Sequence, residues 1–157
     1  MIEVSSKLAF SQKLEDTIQD VEFAIVMEAE KRVFGDARQV SRAQRITILK
    51  DALQVAGRKR IEKHFEFPRR ALPPAQAGEV IFRIGPAKMF SRSLEWIVKE
   101  VESAIFLVAC AKFKGNKAEV VRALRVGRER INKPAGKGRA SHFAEAQDEL
   151  RRAGWIR

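Results

Sequence analysis

Leu14, Ile18, Val21, Ala24, Ile25, Ala29 and Val33 recur at intervals of three and four, with Glu15, Asp20, Glu22, Glu28, Glu30 and Lys31 in the remaining positions. Apolar residues on one face of a 3.6-residue repeat predict an amphipathic helix over residues 13–34, stopped by Gly35. Leu94, Ile97, Val98, Val101, Ala104, Ile105, Val108 and Ala111 follow the same plan, with Ser93 as N-cap and Gly115 beyond the end. Phe67-Pro68-Arg69-Arg70-Ala71-Leu72-Pro73-Pro74 cannot be helical throughout, because proline lacks an N–H and restricts its predecessor. Glu79–Ile84 alternates weakly and predicts one short strand ahead of Gly85-Pro86. Ser141–Ala153 reads as a capped helix with Phe143, Ala146 and Leu150 on one face and Gly154 as its stop. The pattern predicts an all-α protein: a helical unit over 1–65, a partly extended connector over 66–92, and a second helical unit over 93–157 that closes with a short helix.

The two units resemble each other. Val21-Glu22-Phe23-Ala24-Ile25 matches Val101-Glu102-Ser103-Ala104-Ile105, and Phe34-Gly35-Asp36 falls near Phe113-Lys114-Gly115-Asn116. Ala52-Leu53-Gln54-Val55-Ala56-Gly57-Arg58-Lys59-Arg60-Ile61-Glu62-Lys63 matches Ala123-Leu124-Arg125-Val126-Gly127-Arg128-Glu129-Arg130-Ile131-Asn132-Lys133. The first copy carries one extra turn residue, Ala56, and about nine more residues between Gly35 and Ala52. Agreement in the same order at three places points to duplication rather than to chance likeness between basic helices.

Within 117–133, Ala118, Val121 and Leu124 give a short helix, Arg125-Val126-Gly127 permits a tight turn, and Arg128–Lys133 opens a second helix with Ile131 inward. Two short helices joined by such a turn describe a helix-turn-helix, whose second helix enters the major groove. Its Arg128, Arg130, Asn132 and Lys133 suit that role: arginine pairs bidentately with guanine, asparagine with adenine, and lysine meets phosphate. Pro134 ends that helix.

Residues Gly115–Ile131 resemble the Fis-type helix-turn-helix, the family of the factor for inversion stimulation and of the C-terminal domains of bacterial enhancer-binding activators. In that pattern a long dimerisation helix precedes Gly-Asn-Lys, an alanine-rich first helix ends in Leu-Gly, and an arginine opens the recognition helix. The resemblance covers 94–134 well and 14–64 loosely. It implies a dimerising transcriptional regulator or architectural protein of duplex DNA in a bacterial or phage setting, nucleoid-associated in the cytoplasm, without an enzymatic step or cofactor. RNA polymerase or another regulator is a further implied partner. By position, Arg128 is then the main base reader, Arg130 and Lys133 meet bases or backbone, and Asn116 and Lys117 meet phosphate. Arg125, Lys137 and Arg139 extend the basic set, and Arg58, Arg60 and Lys63 hold the matching places in the first copy. Arg125 stands where the family has a turn glycine, Arg130 where it has a small threonine, and Pro134 shortens the recognition helix.

Charge sharpens this picture. The net charge is +11, and residues 112–157 hold 13 basic against 5 acidic residues, whereas residues 1–65 hold 12 against 10. A basic cluster beside a nearly neutral body is the footprint of a polyanion binder. An RNA-binding protein using the same face for shape recognition, or a non-catalytic subunit meeting an acidic protein, is the alternative. A membrane-surface role needs exposed large apolar residues beside the basic ones, which the stretch is short of. The longest apolar run, Ala104–Ala111, is far short of the ~20 residues that cross a bilayer, and the N-terminus lacks a signal-peptide pattern. The composition is that of a folded soluble chain. One cysteine, Cys110, excludes an internal disulfide framework and is expected buried on its apolar helix. His64 and His142 have no partners at metal spacing and are expected as surface or capping residues. Phe65, Phe67, Phe82 and Phe90 read as core plugs, although a single-strand binder would use such residues for stacking.

The two apolar stripes, 13–34 and 94–112, must each be buried against another helix. They can pair within the chain as a pseudo-dimer or between two chains. The stripe of 94–112 spreads through Ile105-Phe106-Leu107-Val108 over more than half the circumference, and the charge is unequal between copies. Both features favour a homodimer with one strong reader per chain.

Overall fold

The computed structural model describes residues 1–67 and 71–157; of the proline-rich stretch, Pro68, Arg69 and Arg70 lie outside the described residues. The first half runs β1 (Ile2–Ser5), α1 (Ser6–Ser11), α2 (Leu14–Phe34), α3 (Arg42–Ala52) and α4 (Arg58–Glu66). The second runs β2 (Val80–Ile84), α5 (Pro86–Ser91), α6 (Leu94–Lys112), α7 (Lys117–Leu124), α8 (Arg128–Asn132) and α9 (His142–Arg152). The chain is mostly helical, as the periodicity predicts, with one small sheet in addition. The expected strand before Gly85-Pro86 is present as β2, but its partner is β1, an N-terminal strand that the apolar pattern does not reveal. Residues 80–91, read from sequence within a connector, thus form a strand and a helix.

Local chemistry accounts for the helix ends. Glu15 and Asp16 open α2 and Lys31 and Arg32 close it, complementing the helix dipole, and Gly35 turns the chain away at φ 54°. The Ser41 hydroxyl and Gln44 side chain form a reciprocal capping box on α3. Ser93, Asn116 and Ser141 each accept a backbone N–H at the starts of α6, α7 and α9.

The register of the sheet matches the sequence repeat. A shift of 80 residues carries Glu3 to Arg83, and those two residues face each other across the antiparallel pair, joined by a 2.9 Å ion pair. Ile2 faces Ile84 and Val4 faces Phe82 on either side of it. The same shift carries Leu14, Val21, Glu22 and Ile25 to Leu94, Val101, Glu102 and Ile105. Helices α2 and α6 pack against each other, and one continuous core runs through both halves. The wide stripe of α6 is covered within the chain by α1, α2, α7, α9 and β2. Ile97, Val101, Ile105 and Ala109 are fully buried, while Leu107 and Val108 are half-buried. The stripe is therefore largely covered without a second chain, chiefly by α9, apart from the half-buried Leu107 and Val108. Phe65, Phe82 and Phe90 pack on the core, whereas Phe67 is exposed and stacks on Phe23 at 5.9 Å.

Candidate nucleic-acid interface

Helices α7 and α8 are joined by Arg125–Gly127 and held on the body by Val120, Leu124, Val126 and Ile131, all buried. Arg125 sits in the left-handed region (φ 51°, ψ 44°), the conformation that a turn glycine would adopt without strain. Gln54 takes the same conformation (φ 55°) at the matching point between α3 and α4, so both copies form the helix–turn–helix path.

The structure separates the predicted contact residues into tethered and free groups. Arg130 donates to the buried Glu102 carboxylate at 2.9 Å, and its pseudo-symmetric counterpart Arg60 donates to the matching Glu22. Those two guanidiniums fasten each second helix to its long helix. Asn116 spends its side-chain oxygen on the Glu119 amide as N-cap of α7. The Lys117 ammonium donates to the Asn132 amide oxygen, bringing these two exposed residues together across the unit. Arg125, Arg128 and Lys133 are exposed and have no ion-pair or side-chain hydrogen-bond partner among the described residues. Arg122, which the motif does not single out, joins them on the face of α7 that points away from Val120 and Leu124.

The first copy treats its matching arginine differently. Arg58 donates to the Thr47 hydroxyl at 2.9 Å and to the Ala43 carbonyl at 3.4 Å, and lies 3.6 Å from Glu62 one turn on. At the corresponding places the second copy has Ala118 for Thr47 and Asn132 for Glu62. Arg128 consequently lacks both the hydroxyl and the carboxylate that hold Arg58. Lys63 remains exposed and unpartnered among the described residues.

Beyond α8 the halves diverge. Where α4 continues through His64 and Phe65, Pro134 stops α8 and residues 134–141 fold back as a hairpin with a Pro134–Ser141 bridge. Its Lys137 is exposed at the tip, whereas Arg139 donates to the Glu145 carboxylate through three contacts of 2.9, 3.1 and 3.3 Å. The sequence signal for this turn is the Gly136-Lys137-Gly138 run, to which helical periodicity is blind.

Both histidines are buried and neither caps a helix, correcting their expected placement as surface or capping residues. His64 is 4% exposed, packed edge-on against Phe23 at 4.3 Å with Nε2 3.2 Å from Glu22 Oε2. His142, the first residue of α9, stacks on Phe106. Helical periodicity counts Glu22 and Glu102 as polar-face residues; only the packing of α4, and of α8 and α9, places histidine and arginine over them. Burial works to raise the Glu22 carboxyl, but the His64 ring and the Arg60 guanidinium outweigh it and hold it below its ordinary value. Burial lowers His142, against the opposing pull of Glu102 and Glu145. Burial pushes the Cys110 thiol up to about 11, which suits a packing residue. Among the described residues no three His, Cys, Asp or Glu side chains cluster at metal-binding distance, and no helix is long and apolar enough to cross a membrane. No protein-family model matches this chain, and no curated protein or solved structure is detectably similar to it.

Proposed function

We propose that this chain binds duplex DNA through the α7–turn–α8 unit, as a regulator or architectural protein, with Arg128 as the base-reading side chain. The observation that carries the reading is the release of Arg128: its counterpart Arg58 is tied to Thr47 and approached by Glu62, while Arg128 has neither. A free guanidinium at the start of a short exposed helix is free to pair bidentately with guanine O6 and N7 in the major groove. Arg125 and Lys133 flank it at the two ends of the unit and suit the phosphates on either side. Arg130 and Asn116 take structural roles in this reading, because Glu102 and the α7 cap already occupy their polar atoms.

The proposal takes the internal repeat in place of a homodimer: one chain supplies two helix-turn-helix units, of which the second is the stronger reader. Competition of duplex DNA, structured RNA and heparin for the labelled chain tests the ligand class, and sedimentation of the complex tests the stoichiometry. Displacement by duplex at lower concentration than by RNA, with one chain per short duplex, is the expected result. Equal displacement by heparin and DNA reduces the basic face to a general polyanion surface. Preferential displacement by RNA moves the reading to that ligand.

A further inference from the structure

We infer that the turn closing α9 is a stacking site for single-stranded nucleic acid, in which the exposed Trp155 ring takes an unpaired base and the cations beside it, Arg151, Arg157 and Lys114, take the neighbouring phosphates. The site stands apart from the α7–α8 unit and from the duplex reading of it.

The helix stop accounts for the position of the ring. The Trp155 amide donates to the Leu150 carbonyl at 2.9 Å and the Gly154 amide to the Arg151 carbonyl at 3.1 Å, with Gly154 at φ 78°. These are the paired hydrogen bonds of a Schellman stop, in which the residue after the glycine frequently lays an apolar side chain back on its helix. Trp155 does not, and at 76% it is the most exposed large apolar side chain among the described residues. Ile156 packs in its place, half-buried against Gly115, where a β-carbon would lie 2.9 Å from Ile156 Cδ1. Gln147 of α9 donates to the Gly115 carbonyl at 2.8 Å and ties the same loop to the helix. The backbone on both sides of Trp155 is thus held while its ring stands in solvent, so little ordering entropy is lost on binding.

Three exposed aromatic side chains occur among the described residues, and the faces of two are taken. Phe67 stacks on Phe23 at 5.9 Å, and the Arg92 guanidinium covers the Trp96 ring at 4.9 Å. Trp155 has no ring or cation partner among the described residues. The charge around it is of one sign: residues 151–157 hold three arginines and no acidic residue. Arg151 lies along the turn, its Nε donating to the Arg157 carbonyl at 3.4 Å, two residues beyond the ring. Lys114 is exposed next to Gly115, the residue that receives Ile156. Asp148 lies 3.7 Å from Arg151, which leaves the Lys114 and Arg157 side chains uncommitted.

An open aromatic face among cations selects its occupant. Every base offers a π-face, and only an unpaired base exposes it, whereas a duplex presents base edges and phosphates. An acidic protein segment would satisfy the cations and leave the ring faces unmatched. A bilayer surface asks for a broad apolar helix face, and the apolar residues of α9, Phe143, Ala146 and Leu150, are buried in the core.

The chain has two tryptophans and no tyrosine, so Trp96→Phe leaves Trp155 as the sole indole reporter. The test titrates this full-length variant with oligothymidylate and oligouridylate about twelve nucleotides long, within the span such sites cover, and with an abasic oligomer of equal length and charge. Base-bearing oligomers are expected to quench Trp155 emission and to bind about tenfold more tightly than the abasic one, as stacking of a single base provides. Anisotropy of labelled oligomers then compares the wild type with four variants. Trp155→Ala should reduce the base-bearing oligomers to the abasic level, and Trp155→Phe should keep part of the preference, because a smaller ring still stacks. Lys114→Ala should weaken all the oligomers alike and lower the salt slope by about 0.7. Arg128→Ala should leave the preference intact, which separates this site from the duplex-binding one. A preference for either base-bearing oligomer supports the site, and the tighter of the two identifies the sugar it takes. Equal wild-type affinity for base-bearing and abasic oligomers, or a preference that survives Trp155→Ala, overturns the inference. So does a Trp155 emission that shifts with phosphatidylserine vesicles and not with the oligomers, which assigns the ring to a membrane surface.

Discussion

Asn132 decides how available Arg128 is. In the first copy the same position is Glu62, 3.6 Å from Arg58, and a carboxylate at that spacing holds an arginine against its own helix. Asn132 supplies no charge, and its oxygen accepts from Lys117 instead. Asn132→Glu should therefore recruit both Arg128 and Lys117 into a surface ion-pair network. Such pairs contribute little to stability, typically below ~1 kcal/mol, but they remove two cations from the DNA-facing set. The expected outcome is an unchanged thermal midpoint with duplex affinity lowered about tenfold or more, since two phosphate- or base-facing charges are lost. Fluorescence anisotropy together with a melting curve checks both halves of that expectation.

At the scale of elements, the turn between α7 and α8 is strained where Arg125 holds left-handed backbone. A non-glycine residue there costs of order 1 kcal/mol, so Arg125→Gly should raise the melting temperature by roughly 2–4 °C and lower the salt slope of DNA binding by about one. A calorimetric scan that shows destabilisation would contradict the strained-turn account. The turn, α2, α6 and α9 were legible because each is specified by neighbours within a few residues: apolar spacing, Ser93 and Ser141 caps, and Gly35 and Gly154 stops. Strand β1 was not, since four residues carry little periodicity and their partner lies 80 positions away. The hairpin was also missed, because Pro134 marks the end of a helix but says nothing about what Gly136 and Gly138 let the chain do next. The tethering of Arg130 was illegible for a different reason: a basic residue on a recognition helix reads the same in sequence whether Glu102 lies beneath it or not.

Across the whole molecule, each half sets a glutamate of its long helix against a half-buried arginine, with a buried histidine close by, and these groups shape the acid response of the fold. His142 titrates below its unfolded value near 6.5, so the folded state favours the neutral ring. That contribution is complete above pH 6.5 and is lost as pH falls through the lower folded value. The Glu22 carboxyl, also lowered from 4.5, adds a second loss at more acid pH. The melting temperature should therefore decline as pH falls from 7 toward 5, and His142→Gln should flatten that decline; parallel pH profiles for the two proteins would contradict the assignment. The sequence repeat also makes the central claim directly testable, because it supplies a matched pair of arginines, Arg58 and Arg128, in one chain. One measurement compares the affinity of wild type, Arg128→Ala and Arg58→Ala for the same duplex at a single salt concentration. The account predicts a loss of about 1–3 kcal/mol for Arg128→Ala and a near-native value for Arg58→Ala, whose guanidinium is already engaged by Thr47. Equal losses for the two substitutions, or none for Arg128→Ala, would contradict the claim that the second copy reads DNA through its released arginine.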